Sequence, residues 1–319
     1  MASWQAHVAV WVLKMRFKPA LARAEGNAPR VRKLMTPAPF RVPRDVIITP
    51  GEAGGVAGEW VQSRDRESAP KGHGLTMLYL HGGGYVAMSA QTHRAITTSF
   101  AQHGFRVFAP NYRLAPEHLF PAAVDDAVAA WRGLLRDGGF EPEATVVAGD
   151  SAGGGLAVAM MAAARDQGDP LPAAAALFSA WTDLAASGES IRRNDRRCAM
   201  FLGEYITRGA RYYLGSADPR NPLASPLYAD LSHLPPLLIH AGSDEVLLDD
   251  STRLAERARA AGVRVELKVW PVVPHVWQLV YPGMPEARQS MREAAEFLKR
   301  YAGGSPSAGR PYAKANEIR

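Results

Sequence analysis

Residues 144–160 read ATVVAGDSAGGGLAVAM, and this stretch decides the fold that the sequence can adopt. Its start, Ala144–Ala148, is an apolar run typical of a buried strand, and its end opens an alanine- and glycine-rich segment, Gly154–Asp166, that favours a helix. Between them residues 149–153 (GDSAG) match the pattern G-x-S-x-G. A strand, a sharp glycine-flanked turn and a helix N-terminus together expose a serine hydroxyl and favour negative charge beside it. The stretch therefore predicts Ser151 as a nucleophile.

The rest of the chain repeats this alternation of strand and helix. Strands are predicted at Val46–Thr49, Glu59–Gln62, Leu75–His81, Phe105–Ala109, Ala144–Gly149, Ala173–Phe178, Leu237–Ala241 and Val263–Val269. Helices are predicted at Thr92–His103, Ala122–Arg136, Gly154–Asp166, Leu247–Ala261 and Pro285–Tyr301. The first two strands suggest a hairpin with a glycine-rich connection at Gly51–Gly58. The pattern predicts an α/β fold with a mostly parallel eight-stranded sheet and helices on both faces.

Two segments depart from the alternation. The interval 187–234 has a helix-like patch, Gly203–Leu214, but no clean strand, which suggests an insertion on top of the sheet where a lid would sit. The basic N-terminal helices could pack beside it. We therefore divide the chain into N-terminal cap helices (1–45), a first core part (46–186), a cap insertion (187–234), a second core part (235–302) and a flexible tail (303–319).

A second glycine motif, His81-Gly82-Gly83-Gly84, stands at the end of the predicted strand Leu75–His81, well before Ser151 in the chain. Acyl transfer creates an oxyanion, and backbone N–H groups can stabilise it where no side chain blocks their approach. The three glycines therefore predict an oxyanion hole formed by the amides of Gly83, Gly84 and Ala152, with Gly82 as the fallback donor. His81 is expected to order the loop rather than to act as a base.

A serine nucleophile needs a base and an orienting carboxylate, and in hydrolases with this type of turn they follow in the order serine, acid, histidine. Of the three histidines beyond Ser151, His240 falls inside a predicted strand and His233 lies in a polar loop beside two prolines. His275 follows the last strand in a loop, and we predict it as the general base.

The acid is predicted from its place at a strand end. Asp244 follows the strand Leu237–Ala241 directly, and we assign it as the orienting carboxylate. Glu245 is a competitor. Asp249 and Asp250 compete too, but acidic groups at those positions suit the N-terminus of the following helix.

Composition narrows the remaining possibilities. The 319 residues carry a net charge of +6, concentrated in residues 1–45, while the body is close to neutral. No nucleic-acid module and no metal-binding grouping is recognisable, and the single cysteine, Cys198, cannot form an internal disulfide. No stretch is apolar over the length needed to span a bilayer, so a cytoplasmic protein without integral membrane association is expected.

The N-terminal helix has its own pattern. Five residues fall at helical spacing and give one apolar stripe, which must cover either the protein's own pocket or a membrane surface: Trp4, Val8, Trp11, Val12 and Met15. Aromatic side chains of the predicted cap are the candidates for the pocket wall: Trp4, Trp11, Phe201, Tyr205 and Tyr212.

Several separated motifs resemble the bacterial hormone-sensitive lipase family of esterases, over about residues 75–301. They are HGGGYV (81–86), NYRLAPEH (111–118), FPAAVDD (120–126), GDSAGGGLA (149–157), DEVLLDD (244–250) and HVW (275–277). The resemblance implies an α/β-hydrolase fold with a helical cap, short acyl esters as substrates, no cofactor, and a homodimer formed through the edge strand near Val263–Val269. The chain departs from the family where Asp244 is followed by Glu245-Val246 rather than Pro-Leu, and where Asn111 replaces a frequent aspartate.

The sequence thus predicts a carboxylesterase that hydrolyses short-to-medium acyl esters through Ser151, His275 and Asp244. An amidase or other acyl hydrolase, and an interfacial lipase that uses the apolar N-terminal stripe, are the alternatives with the same triad. A non-catalytic ligand receptor is a further alternative, which the presence of all three triad residues opposes.

Overall fold

A single eight-stranded sheet organises the chain, in the order β1-β2-β4-β3-β5-β6-β7-β8. The computed structural model describes residues 2–24, 27–36, 40–66 and 74–303. The strands are β1 (Val46–Ala53), β2 (Val56–Ser63), β3 (Thr76–Leu80), β4 (Arg106–Pro110), β5 (Thr145–Asp150), β6 (Ala175–Phe178), β7 (Leu237–Gly242) and β8 (Val265–Trp270). Strand β2 pairs antiparallel with β1 and β4, and the strands from β4 to β8 are parallel. The predicted α/β fold with a mostly parallel sheet is confirmed.

Helices flank the sheet and connect its parallel strands. They are α1 (Trp4–Val12), α2 (Lys18–Ala24), α3 (Ala28–Met35), α4 (Arg94–Gln102), α5 (Ala122–Arg136), α6 (Ala152–Asp166), α7 (Ser190–Arg193), α8 (Gly203–Leu214), α9 (Leu248–Ala260) and α10 (Pro285–Tyr301). A π-helical turn, Leu13–Phe17, joins α1 to α2 without a break. The predicted helices of the core lie within two residues of these bounds.

The central strands are apolar throughout because both faces of the sheet are covered. In β3, Met77 and Tyr79 pack into one buried cluster, whereas Leu78 and Leu80 pack into the cluster on the opposite face. Every residue of β5 is buried. Alternate residues of a strand point to opposite faces, so a strand covered on both sides has no polar face. These continuous apolar runs are what made the parallel strands recognisable in the sequence.

The leading hairpin is tighter than the sequence indicated. Strands β1 and β2 pair along their whole length, from Val46 opposite Ser63 to Ala53 opposite Val56. Only Gly54 and Gly55 form the turn, both with positive φ, and not the longer connection expected over Gly51–Gly58. Gly54 also lies against α5, where an added Cβ would come within 1.9 Å of the Ala129 carbonyl oxygen.

Helices of two segments lie outside the strand–helix alternation. Between β6 and β7 the chain forms α7 and α8, and no strand of the sheet falls in residues 187–234. At the other end of the chain, α3 is fastened to the core by Arg32, which donates hydrogen bonds to the Val86 and Ala115 carbonyl oxygens and pairs with Glu117. Strand β8 is an edge of the sheet, so the homodimer through this strand stays a prediction. The predicted tail, residues 303–319, lies outside the described part of the chain apart from Gly303.

Candidate active site

Ser151 lies at the turn between β5 and α6, in a backbone conformation with φ 51° and ψ −122°. Few residues other than glycine adopt this region, so the turn is held by its surroundings. The two flanking glycines explain how. A Cβ on Gly149 would lie 2.4 Å from the Gly153 carbonyl oxygen, and a Cβ on Gly153 would lie 2.1 Å from that of Leu80. The turn is therefore pressed against the end of β3, and only glycine fits at both positions.

The structure brings His275 to this serine. The His275 Nε2 atom lies 2.9 Å from the Ser151 Oγ atom, within hydrogen-bond distance. His275 comes from the loop after β8, as the sequence predicted, and is 5 % exposed. The ring of Phe201 packs edge-on against the imidazole, with centroids 4.9 Å apart. A base so placed can take the serine proton as the oxygen attacks.

The carboxylate beside His275 is Glu245, and the assignment of Asp244 is wrong. The Glu245 Oε2 atom accepts from His275 Nδ1 at 2.5 Å. Its other oxygen accepts from the Gly242 amide at 2.5 Å and from the Ser179 hydroxyl at 2.7 Å. Asp244 instead points outward and forms an ion pair with Arg197 at 2.6 Å. Both residues follow β7, but only the longer side chain, one position further on, turns inward to the imidazole.

The turn after β7 explains this choice. The buried Asn194 side chain, from the segment after α7, donates hydrogen bonds to the carbonyl oxygens of Ser243 and Glu245 at 3.1 and 2.9 Å. The chain then continues into the buried Val246. This arrangement points Asp244 to the surface and leaves Glu245 on the inner side. No signal within the Asp-Glu pair itself could have identified the acid, because the deciding contact comes from a residue 51 positions away.

The loop after β3 forms the wall opposite the imidazole. Gly83 and Gly84 line the same pocket as Ser151, with φ values of 118° and 63°. A Cβ on Gly83 would lie 2.0 Å from the Ala87 carbonyl oxygen, so this position requires glycine. The Gly82 amide donates to the Asp150 carboxylate at 3.1 Å and does not face the pocket. Gly82 is therefore not an oxyanion donor, contrary to the fallback prediction.

A buried polar network lies behind this loop. Asp150 accepts from the Tyr79 hydroxyl at 2.6 Å and contacts the His93 imidazole. Burial alone would raise the pKa of Asp150, but the attraction of His93 and the hydrogen bonds from His93 and Tyr79 lower it. His81 stacks on Tyr112, whose hydroxyl donates to the His81 carbonyl oxygen.

His81 has the bracing role that the sequence indicated. Burial lowers its pKa to about 3, so the imidazole is neutral at physiological pH. Its Nδ1 atom lies 2.7 Å from the carbonyl oxygen of Gly82. The side chain thus holds the glycine loop from behind and does not reach the serine.

The pocket above Ser151 has a volume of about 310 Å³ and a mainly apolar wall. Two of the predicted aromatic residues, Phe201 and Tyr205, line it. Trp4 and Trp11 do not, because their side chains point to solvent and are 71 % and 63 % exposed. Tyr212 lies at a smaller neighbouring cavity, not in the pocket.

Other residues of the pocket wall were missed by the sequence reasoning: Phe17, Leu34, Met35, Trp181, Met200 and Ile206. The first three come from the N-terminal helices and the next one from the segment after β6. Nothing in their local sequence separates them from ordinary core residues. Within the described residues no group of three or more His, Cys, Asp or Glu could hold a metal ion, and no helix is long and apolar enough to cross a membrane.

A serine at a strained strand–helix turn, faced by a histidine and a glycine loop at the carboxyl ends of a parallel sheet, defines the class of α/β hydrolases. Comparison with known proteins agrees. A family model described as alpha/beta hydrolase fold matches residues 77–279. An acetyl-hydrolase of Streptomyces hygroscopicus is 44% identical over 263 residues, covering 82% of this chain and 85% of that protein.

Solved structures narrow the family. The crystal structure of an esterase from the bacterial hormone-sensitive lipase family superposes with a TM-score of 0.85 at 39% identity, covering 95% of this chain and 100% of that one. A structure of the esterase EstE5 soaked with p-nitrophenyl butyrate gives a TM-score of 0.87 at 40% identity, covering 94% and 99%. The chain belongs to the α/β-hydrolase fold family and, within it, to the bacterial hormone-sensitive lipase family, and it is a carboxylic-ester hydrolase.

Proposed function

We propose that the chain hydrolyses short-to-medium acyl esters through Ser151, His275 and Glu245, by way of an acyl-enzyme. The observation that carries this proposal is the continuous relay in the site: Ser151 Oγ lies 2.9 Å from His275 Nε2, and His275 Nδ1 lies 2.5 Å from Glu245 Oε2. Glu245 holds the imidazole with its Nδ1 proton toward the carboxylate, which leaves the Nε2 lone pair facing the hydroxyl.

The first half of the reaction forms the acyl-enzyme. The Ser151 oxygen attacks the ester carbonyl carbon while its proton passes to His275 Nε2. The carbonyl oxygen becomes an oxyanion, for which we propose the amides of Gly83, Gly84 and Ala152 as donors. Ala152 is the first residue of α6, and the first amides of a helix have no acceptor within the helix. Collapse breaks the bond to the alcohol oxygen, which leaves with the proton from His275.

The second half releases the acid. Water enters beside His275, gives up a proton to Nε2 and attacks the acyl carbon. The new oxyanion accepts hydrogen bonds from the same three amides. When the bond to Ser151 breaks, the proton on His275 returns to the serine oxygen, and the carboxylic acid leaves. Apart from substrate and water, both halves use only groups of the chain, and the neighbouring apolar wall receives the acyl chain.

The pocket supports the proposed substrate range. A cavity of about 310 Å³ accommodates small and medium acyl groups, and its wall is largely apolar. Related proteins named an acetyl-hydrolase, and an esterase soaked with a butyrate ester, support short acyl chains for this chain too. We further propose that α1 to α3 together with residues 187–234 form the cap that closes the pocket, since Phe17, Met35, Phe201 and Tyr205 all contribute to its wall. A cytoplasmic location and a small-molecule ester as the partner stay predictions.

The Ser151→Ala variant tests the mechanism. It removes only the hydroxyl, so thermal unfolding is expected to stay close to wild type, while the burst of p-nitrophenol from p-nitrophenyl acetate disappears. Turnover at the wild-type rate in that variant would refute the assignment. A series of p-nitrophenyl esters from acetate to palmitate measures the chain length that the pocket accepts, and a matched amide separates an esterase from an amidase.

A further inference from the structure

The N-terminal helix presents an unusual surface to solvent. Large apolar side chains project outward from one side of α1 and the π-helical turn, and we call them the outer stripe: Trp4, Val8, Trp11, Val12 and Met15. Residues three and four apart lie on the same side of a helix, so these five form one continuous strip. Contiguous exposed apolar surface of this kind is uncommon on a protein that meets only water.

The same helix buries its small residues. Ala6 is fully buried and, with Ala2 and Ala9, packs against a cluster that contains Trp270 and Trp277. If packing against the protein were the only requirement of this helix, its tryptophans would face the core and its alanines would face water. The arrangement is the reverse.

The orientation of the helix is fixed by hydrogen bonds. The Ser3 amide and hydroxyl both donate to the Glu286 carboxylate, at 2.6 and 2.7 Å, and the Ser3 hydroxyl caps the helix by accepting from the Ala6 amide. These contacts tie the start of α1 to α10. These hydrogen bonds fix the rotation of α1, so that the outer stripe faces solvent.

The charge beside the stripe identifies its partner. Lys14 and Arg16 flank Met15 in sequence, and in the described part of the chain neither forms an ion pair. Residues 4–17 contain no acidic side chain. Tryptophan is favoured at the boundary of a bilayer, and lysine and arginine are attracted to anionic headgroups. A second copy docked through the same strip would offer no carboxylate to these cations.

The stripe adjoins the pocket. Phe17, two residues beyond Met15 and in the same π-helical turn, lines the cavity above Ser151. Leu34 and Met35 of α3 line it beside Phe17. A lipid surface in contact with the stripe therefore lies within about one helical turn of the pocket wall.

We propose that the outer stripe docks the enzyme on anionic phospholipid surfaces, from which poorly soluble acyl esters enter the pocket past Phe17. This inference rests on the proposed ester hydrolysis for its substrate class, but the docking itself does not require turnover. The helix would lie in the plane of the surface, with Trp4 and Trp11 inserted among the headgroups and Lys14 and Arg16 beside the phosphates.

Vesicle cosedimentation tests the docking. Wild-type protein is expected to sediment with vesicles of phosphatidylcholine mixed with phosphatidylglycerol, and to bind pure phosphatidylcholine much less. The variant Trp4→Gln with Trp11→Gln is expected to weaken the binding at least tenfold, roughly, because two inserted rings are lost. The control is Leu119→Gln with Val269→Gln, which removes two exposed apolar side chains elsewhere on the surface and is expected to leave binding unchanged.

A charge variant measures the electrostatic contribution to vesicle binding. Lys14→Gln with Arg16→Gln is expected to reduce binding to the anionic vesicles by about fivefold for each charge removed, and added salt reduces the wild-type binding in the same direction. Failure of the wild type to bind anionic vesicles would overturn the proposal. The proposal would also be overturned if light scattering showed a wild-type dimer that becomes a monomer in the tryptophan variant, and no vesicle binding were seen. The stripe would then be an interface between two copies of the chain.

Activity distinguishes this inference from the proposed function. The tryptophan variant is expected to hydrolyse dissolved p-nitrophenyl acetate at the wild-type rate, but a long-chain ester embedded in anionic vesicles at least fivefold more slowly, roughly, as expected for weaker docking. Ser151→Ala is expected to bind vesicles like the wild type and to hydrolyse neither ester. Retained turnover in Ser151→Ala would refute only the catalytic assignment, whereas equal rates of wild type and tryptophan variant on the embedded ester would refute only the docking.

Discussion

The turn after β5 and the turn after β7 each deliver one side chain to the same site, but they are held in different ways. Ser151 is held by steric constraint: its backbone has a positive φ, and glycines on both sides lie where a Cβ would strike backbone atoms. Glu245 is held by hydrogen bonds: its carboxylate accepts from Gly242 and Ser179, and its carbonyl oxygen accepts from Asn194.

This difference has consequences for how each turn tolerates change. A turn held by close backbone contact fails as a unit, because an added methyl group has no space and the neighbouring strand must move. A turn held by hydrogen bonds can keep its path while one polar group is exchanged, so its side chain can be altered with the fold intact. We therefore expect substitutions in the nucleophile turn to lower mainly the free energy of unfolding, and substitutions in the acid turn to lower mainly the catalytic rate.

The largest effect is expected for Glu245→Gln. The amide cannot accept from His275 Nδ1 on the side where its NH₂ group lies, so the imidazole takes the wrong tautomer and its Nε2 no longer accepts the serine proton. By analogy with other triads, kcat falls by about 10³- to 10⁴-fold. Steady-state hydrolysis of p-nitrophenyl acetate measures the loss.

Its control is a urea unfolding curve of the same variant. The cooperative transition is expected to persist with a loss of only about 1–2 kcal/mol in the free energy of unfolding, because the side chain keeps its size and most of its partners. A variant that unfolded in the absence of urea would show that the acid turn is needed for folding, and would contradict the distinction drawn between the two turns.

The next effect, Gly153→Ala, is expected on stability. The added Cβ would lie 2.1 Å from the Leu80 carbonyl oxygen and 2.4 Å from that of His81, both backbone atoms that cannot rotate away. We expect a loss of about 3 kcal/mol or more in the free energy of unfolding, measured by urea denaturation. Activity falls with it, since β3 carries the glycine loop.

A helical glycine with free space supplies the control. Gly209 of α8 has the Trp181 ring no nearer than 3.8 Å to an added Cβ, and its φ is ordinary. Gly209→Ala is expected to keep or raise stability, by up to about 1 kcal/mol from helix propensity. If both glycine variants lost equal stability, close backbone contact would not be what sets the nucleophile turn apart.

The same contrast explains what could be read from the sequence. The nucleophile turn was predictable because a steric constraint leaves its mark locally, as glycines at positions 149 and 153. The acid was not, because two carboxylates stand side by side and a distant amide, Asn194, decides between them. Helical spacing likewise revealed the stripe of Trp4 and Trp11 but not which side of the helix faces the protein, since that depends on tertiary contacts.

A smaller effect concerns pH and the acid side of the site. Asp250, in the first turn of α9 just after the acid turn, accepts from the amides of Thr182 and Asp183, both at 2.8 Å. Burial, with a contribution from the nearby Asp183 carboxylate, raises its pKa to about 8 from an ordinary 3.8. The folded chain therefore keeps a proton on Asp250 at pH values where the unfolded chain has lost it.

Raising the pH between about 4 and 8 thus destabilises the fold through this group, because the unfolded chain has released the proton that the folded chain still holds, and the effect levels off above pH 8. Asp250→Asn removes the titrating proton but keeps an oxygen for the two amides. Urea denaturation at several pH values is expected to show the variant gaining stability over wild type as the pH rises through this window. Parallel profiles for the two proteins would contradict the assignment.

The smallest effect is expected for Asp244→Asn, one residue before the acid and with the same chemical change as Glu245→Gln. Asp244 forms an ion pair with Arg197 at the surface and accepts a long hydrogen bond from the Ser243 hydroxyl at 3.5 Å. The arginine side chain is 62% exposed, and such surface ion pairs contribute about 0–1 kcal/mol. We expect kcat within about twofold of wild type, since no contact reaches His275. Assaying the two neighbouring amide variants side by side separates the orienting carboxylate from a surface carboxylate. A loss of kcat at Asp244 as large as that at Glu245 would return the role of acid to Asp244. The turn after β7 would then have to rearrange when substrate binds.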